Sequence, residues 1–201
     1  MQLFFAPDAL ILAIGCAGAG KSTALARWFP HYEILSSDHL RLMLRNDAAN
    51  QDCSPAVFAL LAQIADHRLA HGLLTVIDAT NLNPIYRAPW FALAARRRRP
   101  CYGLVFTTDL ATCRMRNSTR SRQVPADVLT EQFAQWTADR PALHREPFTR
   151  LYFLSHTTEA YPSPRRKALP QTDSLPQKAT TQPRNRLFKA NEIDEEPGKN
   201  D

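Results

Sequence analysis

The sequence lacks the patterns that mark zinc proteins, membrane proteins and secreted proteins. Its four cysteines stand far apart and include no C-x-x-C pair, so a zinc site is not expected. No apolar run is long enough to cross a membrane, and the first residues lack the basic region of a signal peptide. These absences predict a cytoplasmic protein with reduced thiols.

The composition changes along the chain of 201 residues. Beyond about His156 prolines recur, charges of both signs mix with Gln, Thr and Ser, and after Tyr161 the only aromatic residue is Phe188. Such a segment buries too little apolar surface to offset the entropy of ordering it. We therefore expect one domain at 1–156 and a disordered or weakly structured tail at 157–201. The tail could bind an unknown protein through a short motif near Leu187 and Phe188.

Strand and helix signals alternate from Ala9 to about Leu154, which predicts an α/β fold with a parallel sheet and helices on both faces. A helix starting near His39 is expected to turn Leu40, Met43 and Leu44 toward the core. The expected strands are 9–14, 32–35, 73–77, 102–106 and 150–154.

One stretch has the form G-x-x-x-x-G-K-[ST], which is the pattern of a phosphate-binding loop. It follows an apolar strand and precedes a helix, as such a loop requires. Backbone N–H groups and the helix N-terminus would cradle phosphates, Lys21 would reach the β- and γ-phosphates, and Ser22 would hold Mg²⁺. The predicted nucleotide-binding residues of the loop are Gly15, Cys16, Ala17, Gly18, Ala19, Gly20, Lys21, Ser22 and Thr23.

Two carboxylates follow expected strands, where ligands of parallel sheets gather. Asp38 could orient an acceptor hydroxyl and take its proton, with Arg41 on the same helix face, or it could merely cap the helix. Asp78 and Asn81 could serve the nucleotide and its Mg²⁺, or they could form an ordinary turn. The residue pattern alone leaves both choices open.

Arginines cluster in two places. Those at 96–99 end a helix, where positive charge is favoured without any ligand. Those at 114–122 follow the fourth strand and could form a lid that neutralises the transferred phosphate. A solvated basic helix face is the alternative. The net charge of +6 is compatible with an anionic partner.

Together, the loop, Ser36-Ser37-Asp38 with Arg41, the Asp78-Ala79-Thr80-Asn81 turn and the segment 116–124 resemble one family. It is the 5′-OH polynucleotide kinase module of bacterial polynucleotide kinase-phosphatases, in the wider group of phage polynucleotide kinase and zeta-toxin-like kinases. The resemblance covers about residues 10–154. It implies an adenylate-kinase-like P-loop fold and, with Mg²⁺, transfer of the γ-phosphate of ATP or another NTP to the 5′-OH end of DNA or RNA.

The resemblance also implies roles for individual residues. Asp38 would be the general base, Arg41 would contact the acceptor's phosphate, and Arg116 and Arg120 would be lid arginines on the NTP. Lys21 completes the catalytic set. The lid is about one residue shorter than the family pattern, which leaves the role of Arg122 open. A kinase of a small-molecule hydroxyl and a non-catalytic nucleotide-binding adaptor are the alternatives, and the sequence does not set the oligomeric state.

Overall fold

The chain folds around parallel β-strands, as seen in a computed structural model that describes residues 2–155 and a short strand at 164–166. In chain order the strands are β1 Leu3–Phe5, β2 Leu10–Ile14, β3 Ile34–Ser36, β4 Thr75–Asp78, β5 Cys101–Phe106, β6 Arg150–Leu154 and β7 Pro164–Arg166. Five of them form the main sheet in the order β3-β4-β2-β5-β6, and β1 pairs with β7. All of these pairings are parallel, which confirms the predicted fold class.

Helices connect the strands, and short polar residues fix several of their starts. The helices are α1 Lys21–Trp28, α2 Ser37–Arg45, α3 Ser54–Ala70, α4 Pro84–Arg96, α5 Leu110–Ser118 and α6 Ala126–Asp139, with 3-10 turns at His31–Glu33 and Arg140–Arg145. Asn83 caps α4 by accepting from the Ile85 N–H at 2.9 Å, and Asp109 caps α5 by accepting from the Thr112 N–H at 2.8 Å. Within the described helices, none has the length and apolar content that crossing a bilayer requires.

The hydrophobic core lies on both faces of the main sheet, and the burial of a strand reflects its position in that sheet. Every residue of β2 is buried, as expected for a central parallel strand covered by helices. The register pairs Ile11 with Val76 on one side and with Tyr102 on the other. Because the strands are parallel, their carboxyl ends meet at one edge, and the loops that follow β2, β3, β4 and β5 gather there.

Helix α2 departs from the prediction. Leu40 packs partly against the core, but Met43 is 66% exposed and Leu44 is 42% exposed. The buried residues of this helix are Ser37 and Arg41 instead. The helix turns its polar face inward because that face borders the edge where the loops gather. The spacing of the apolar residues therefore predicted the wrong buried face.

Within the segment predicted to be a tail, the structure describes one short strand. Residues 164–166 pair with β1 in the register Leu3↔Pro164, Phe4↔Arg165 and Phe5↔Arg166. The sequence did not suggest either strand. The rest of the predicted tail, including Leu187 and Phe188, lies outside the described residues.

Candidate functional site

The loop between β2 and α1 has the backbone that the glycine pattern requires. Gly18 has φ +77°, and a Cβ there would collide with the carbonyl oxygen of Cys113. Gly20 has φ +93° and forms the N-cap of α1, so both glycines adopt the left-handed conformation that other residues rarely tolerate. The turn therefore aims the first N–H groups of α1 at the sheet edge, which suits an anion.

Lys21 lies folded against this loop. Its Nζ donates to the carbonyl oxygens of Gly15 at 2.8 Å and Cys16 at 2.9 Å. Burial lowers the pKa of the Lys21 ammonium, and the nearby Asp78 carboxylate acts in the opposite direction. A buried ammonium with an unfavourable desolvation is suited to binding a polyanion, because phosphate oxygens would compensate its charge.

Asp78 ends β4, next to the loop and to β3. Its register partner is Ser36, and its backbone carbonyl accepts from the Ser37 hydroxyl at 3.4 Å. Burial raises the pKa of Asp78, while Lys21 and a hydrogen bond from the Ser22 hydroxyl lower it. A serine hydroxyl beside a carboxylate is an oxygen donor set that fits Mg²⁺.

Asn81 has a structural contact in this loop. Its side-chain amide donates to the carbonyl of Ala13 at 2.8 Å, and its φ is 48°. One residue earlier, the Thr80 carbonyl accepts from the N–H of Gly15 at 3.0 Å. These bonds fasten the turn after β4 to the strand that carries the phosphate-binding loop. The predicted contact of Asn81 with a nucleotide stays a prediction.

Asp38 is not the cap of α2. The Ser36 hydroxyl accepts from the N–H of His39 and is the N-cap, which leaves the Asp38 side chain available for other contacts. Arg41 Nη1 lies 2.9 Å from Asp38 Oδ1, and Arg122 Nη1 lies 2.7 Å from Oδ2. The Asp38 side chain is still 46% exposed, so it remains accessible from the cleft that it borders.

Arg41 is buried behind this aspartate. Its Nη2 donates to the Ser54 hydroxyl at 3.2 Å, which ties α2 to the start of α3. Its Nε is buried without a hydrogen-bond partner, in contrast to the other buried polar side-chain atoms of the described residues. A buried guanidinium with an unused donor is a feature of binding sites more than of cores.

The arginines between β5 and α6 divide into two groups. Arg116, Arg120 and Arg122 border the cleft, and Arg120 lies close enough to Lys21 and Asp78 to affect the pKa of each. Arg114 instead donates to the Thr130 hydroxyl at 3.0 Å. The segment 116–124 thus extends from the loop side of the cleft to Asp38.

One cleft of about 1430 Å³ brings most of the predicted site residues together. That volume exceeds the roughly 300–1,000 Å³ of a typical single-ligand pocket, so it suits two substrates. Gly15, Cys16 and Ala19 lie buried behind the loop surface. The predicted residues that border the cleft are Ala17, Gly18, Gly20, Lys21, Ser22, Thr23, Asp38, Arg41, Asp78, Asn81, Arg116 and Arg120.

Sequence reasoning missed Gln132. Its Oε1 accepts from the N–H of Ala17 at 3.1 Å, which links α6 directly to the phosphate-binding loop. The available signal was a polar residue on the otherwise apolar face of α6 formed by Leu129, Phe133 and Trp136. Gln132 also borders the cleft, beside the phosphate-binding loop.

Sequence reasoning also missed Arg87 on α4. Its guanidinium is fully buried, donates to the carbonyls of Asn81 at 2.6 Å and Leu82 at 2.5 Å, and pairs with Glu146. The arginine thereby fixes the turn that follows β4. No sequence pattern links position 87 with position 146, because the two meet only in the folded chain.

Solved structures at low sequence identity share this fold. The Pnkp1/Rnl/Hen1 RNA repair complex contains a chain with a TM-score of 0.59 and 16% identity, over 71% of this chain and 47% of that one. This chain thus spans about half the length of that relative. Chaetomium thermophilum Kti12 in complex with ADP-AlF3 gives a TM-score of 0.59 and 17% identity, over 74% of this chain and 89% of that one. No curated protein matches the sequence.

The family assignment comes from the sequence of the same region. A family model described as "AAA domain" matches residues 10–143, which is more than half of the chain and includes both the loop and Asp38. The resemblance to polynucleotide kinase modules is confirmed at the level of the P-loop kinase-like fold. The chain belongs to this AAA domain family.

Proposed function

We propose that the protein is a kinase that transfers the γ-phosphate of ATP to the 5′-OH end of DNA or RNA, with Asp38 as the general base. The observation that supports this most is the arrangement of the cleft. The phosphate-binding loop follows β2, and Asp38 follows β3, two strands away in the sheet. At about 4.8 Å per strand, that separation leaves space for a phosphoryl group and an acceptor hydroxyl.

The loop side of the cleft would hold the nucleotide. Backbone N–H groups at the start of α1 and the Lys21 ammonium would bind its phosphates, and Arg116 and Arg120 would approach them from the other side. Ser22 and Asp78 would hold Mg²⁺, which when bound neutralises charge on the phosphates. Other nucleoside triphosphates share the same phosphate chemistry.

The Asp38 side would hold the acceptor hydroxyl. Its proton passes to Asp38, its oxygen forms a bond to the γ-phosphorus, and the bond from that phosphorus to the β,γ-bridging oxygen breaks. The products are a phosphomonoester and the nucleoside diphosphate. Arg41 would bind the phosphate next to the acceptor nucleoside, because it is buried beside Asp38 and its Nε has no partner.

Aromatic and apolar side chains of the cleft would suit a nucleobase. Phe58 of α3 and Tyr86 and Ile85 of α4 also border the cleft, and the last two side chains are exposed. Aromatic side chains bind bases by stacking, which is worth about 1–3 kcal/mol per base. An acceptor with a hydroxyl, an adjacent phosphate and a base would use all three features of this side.

A panel of acceptors tests the proposal. The protein is incubated with labelled ATP and Mg²⁺ and with a 5′-OH oligonucleotide, the same oligonucleotide carrying a 5′-phosphate, a nucleoside, or a sugar. We expect label on the 5′-OH oligonucleotide and none on its 5′-phosphorylated control. Label on the sugar alone would replace the proposal with a small-molecule kinase. ATP binding without transfer to any acceptor would favour the adaptor.

A further inference from the structure

Asp38 is engaged on both carboxylate oxygens by arginines from different parts of the chain. Arg41 comes from its own helix and contacts Oδ1, whereas Arg122 comes from the segment between α5 and α6 and contacts Oδ2 at 2.7 Å. A hydroxyl that donates to Oδ2 must therefore share this oxygen with a guanidinium or displace it. The general base of the proposed reaction is partly occupied by the protein itself.

The two arginines differ in how firmly they are held. Arg41 is buried and is also tied to Ser54, so moving it would break a second bond. The side chain of Arg122 is 29% exposed and lies outside regular secondary structure. Of the two, Arg122 can exchange partners at the lower energetic cost.

The segment that carries Arg122 also reaches the nucleotide side. Arg120, two residues earlier, lies near Lys21 and Asp78. Triphosphate bound on the loop would place several negative charges in the same cleft, and these would compete with a single carboxylate for the neighbouring guanidinium. Nucleotide binding and release of Asp38 Oδ2 would then be one event.

We propose that Arg122 is a positioning residue that holds Asp38 until a nucleoside triphosphate draws it to the phosphates, so that the acceptor engages the base after the nucleotide. This inference rests on the proposed function for the identity of the base. Once Arg122 has moved, Oδ2 accepts the proton of the acceptor hydroxyl while the hydroxyl oxygen forms a bond to the γ-phosphorus. The bond from that phosphorus to the β,γ-bridging oxygen breaks, and the nucleoside diphosphate leaves. No further reactant is needed.

A double-mutant cycle on nucleotide binding tests the coupling without any acceptor. Binding of a non-hydrolysable ATP analogue is measured for wild type, Asp38→Asn, Arg122→Gln and the double variant. Asp38→Asn should release Arg122 and tighten binding about fivefold, which corresponds to roughly 1 kcal/mol of binding free energy. In the Arg122→Gln background the same change should have less than about a third of that effect. Equal effects in both backgrounds would overturn the proposal.

Two controls separate this coupling from simple electrostatics and from folding. Arg114→Gln removes the same charge from the same basic segment but from a residue bonded to Thr130. Asp38→Asn should keep its full effect in that background. Circular dichroism and thermal unfolding of each variant confirm that the comparison is made on folded protein.

Acceptor binding gives a second test, in which the direction of the change in affinity decides the outcome. Fluorescence anisotropy follows a labelled 5′-OH oligonucleotide binding to the protein alone. Losing an arginine normally weakens binding of a polyanion, but Arg122→Gln should bind about threefold more tightly because Asp38 is released. Weaker binding would contradict the proposal. If wild type phosphorylates no oligonucleotide, the proposed function fails, and the nucleotide cycle alone still decides the role of Arg122.

Discussion

Two arginine–carboxylate clusters in this molecule use the same chemical groups in opposite ways. Arg87 is fully buried, and its three guanidinium nitrogens all donate: Nε to Glu146 at 2.7 Å, Nη1 to two backbone carbonyls, and Nη2 to Glu146. Asp38 is half exposed, has two arginines for one carboxylate, and leaves Arg41 Nε without a partner. Every guanidinium nitrogen of Arg87 thus has a hydrogen-bond partner, whereas one guanidinium nitrogen beside Asp38 has none.

The difference distinguishes a structural ion pair from a reactive site. A buried ion pair with every donor used resists change, because removing one partner strands the other in a low-dielectric interior. A cluster with surplus positive charge and access to a cleft can accept an anionic ligand and change partners. We expect substitutions in the Arg87 cluster to change stability and substitutions in the Asp38 cluster to change activity.

Glu146→Gln should give the largest loss of stability. It leaves the Arg87 guanidinium buried without its carboxylate, and breaking such a pair typically lowers the free energy of unfolding by about 3–5 kcal/mol. Urea unfolding at neutral pH measures it. Asp66→Asn is the control, because Asp66 is likewise a carboxylate paired with arginine, here Arg96 and Arg97, but at the surface. It should have a much smaller effect, and similar losses in both variants would remove the distinction between the clusters.

Lys21→Met should increase stability while abolishing nucleotide binding. Because burial lowers the pKa of Lys21, its charged form is unfavourable in the folded protein. We expect the free energy of unfolding to rise at pH 7, with the lost bonds to Gly15 and Cys16 offsetting part of the gain.

The pH dependence of that gain has a defined sign. The pKa of Lys21 is lower in the folded state than in the unfolded state, so the folded wild type binds fewer protons and its stability rises as the pH increases between these two values. The variant lacks this group, so its advantage should shrink toward pH 10. Urea unfolding of both proteins at pH 7, 8.5 and 10 measures the difference, and a constant or growing advantage would show that the charge is not the cause.

Gln132→Ala should tighten nucleotide binding. In the wild type, the side-chain carbonyl of Gln132 accepts from the N–H of Ala17, so a bound anion must compete for this N–H. In the variant the N–H is free for the anion, and one added hydrogen bond would increase the affinity by up to about fivefold. Isothermal titration with ADP and a non-hydrolysable ATP analogue measures this. Gln63→Ala on the exposed face of α3 should change nothing. Weaker binding by Gln132→Ala would instead make Gln132 a contributor to the site.

Arg122→Gln should have the smallest effect on stability. Its ion pair with Asp38 is partly exposed, and such pairs contribute about 0–1 kcal/mol. Thermal unfolding at low and moderate salt measures it. A loss of stability as large as that of Glu146→Gln would mean that both clusters are structural ion pairs. The proposed exchange of partners by Arg122 would then be wrong.

Much of the fold could be predicted because its signals are local. The run 9–14 and the glycine pattern after it fix β2, the phosphate-binding loop and α1, and the prediction for β6 at 150–154 has the observed bounds. Helix α2 was oriented wrongly because the periodicity of Leu40, Met43 and Leu44 says nothing about which face borders a cleft. The strand β1 was missed because its partner, at 164–166, lies in a segment whose composition suggested no structure.

The site was predictable only in part, for a related reason. The glycine pattern brought Lys21 to the cleft, and Asp38 and Asp78 were predicted there because each follows an expected strand and parallel topology brings strand ends together. Arg87 with Glu146 and Gln132 with Ala17 are contacts between residues more than fifty positions apart. Nothing local distinguishes such an arginine or glutamine from a surface residue, so these contacts required the folded structure.

The most direct test of the central claim is the single-turnover rate of γ-phosphate transfer from saturating ATP to a 5′-OH oligonucleotide, for wild type and Asp38→Asn. We predict that Asp38→Asn slows transfer by about 10²–10⁴-fold, the usual contribution of a general base, while ATP affinity is undiminished. Asp47→Asn, at an exposed carboxylate after the end of α2 that accepts from the N–H of Ala49, should transfer at the wild-type rate. Full turnover by Asp38→Asn would contradict the account.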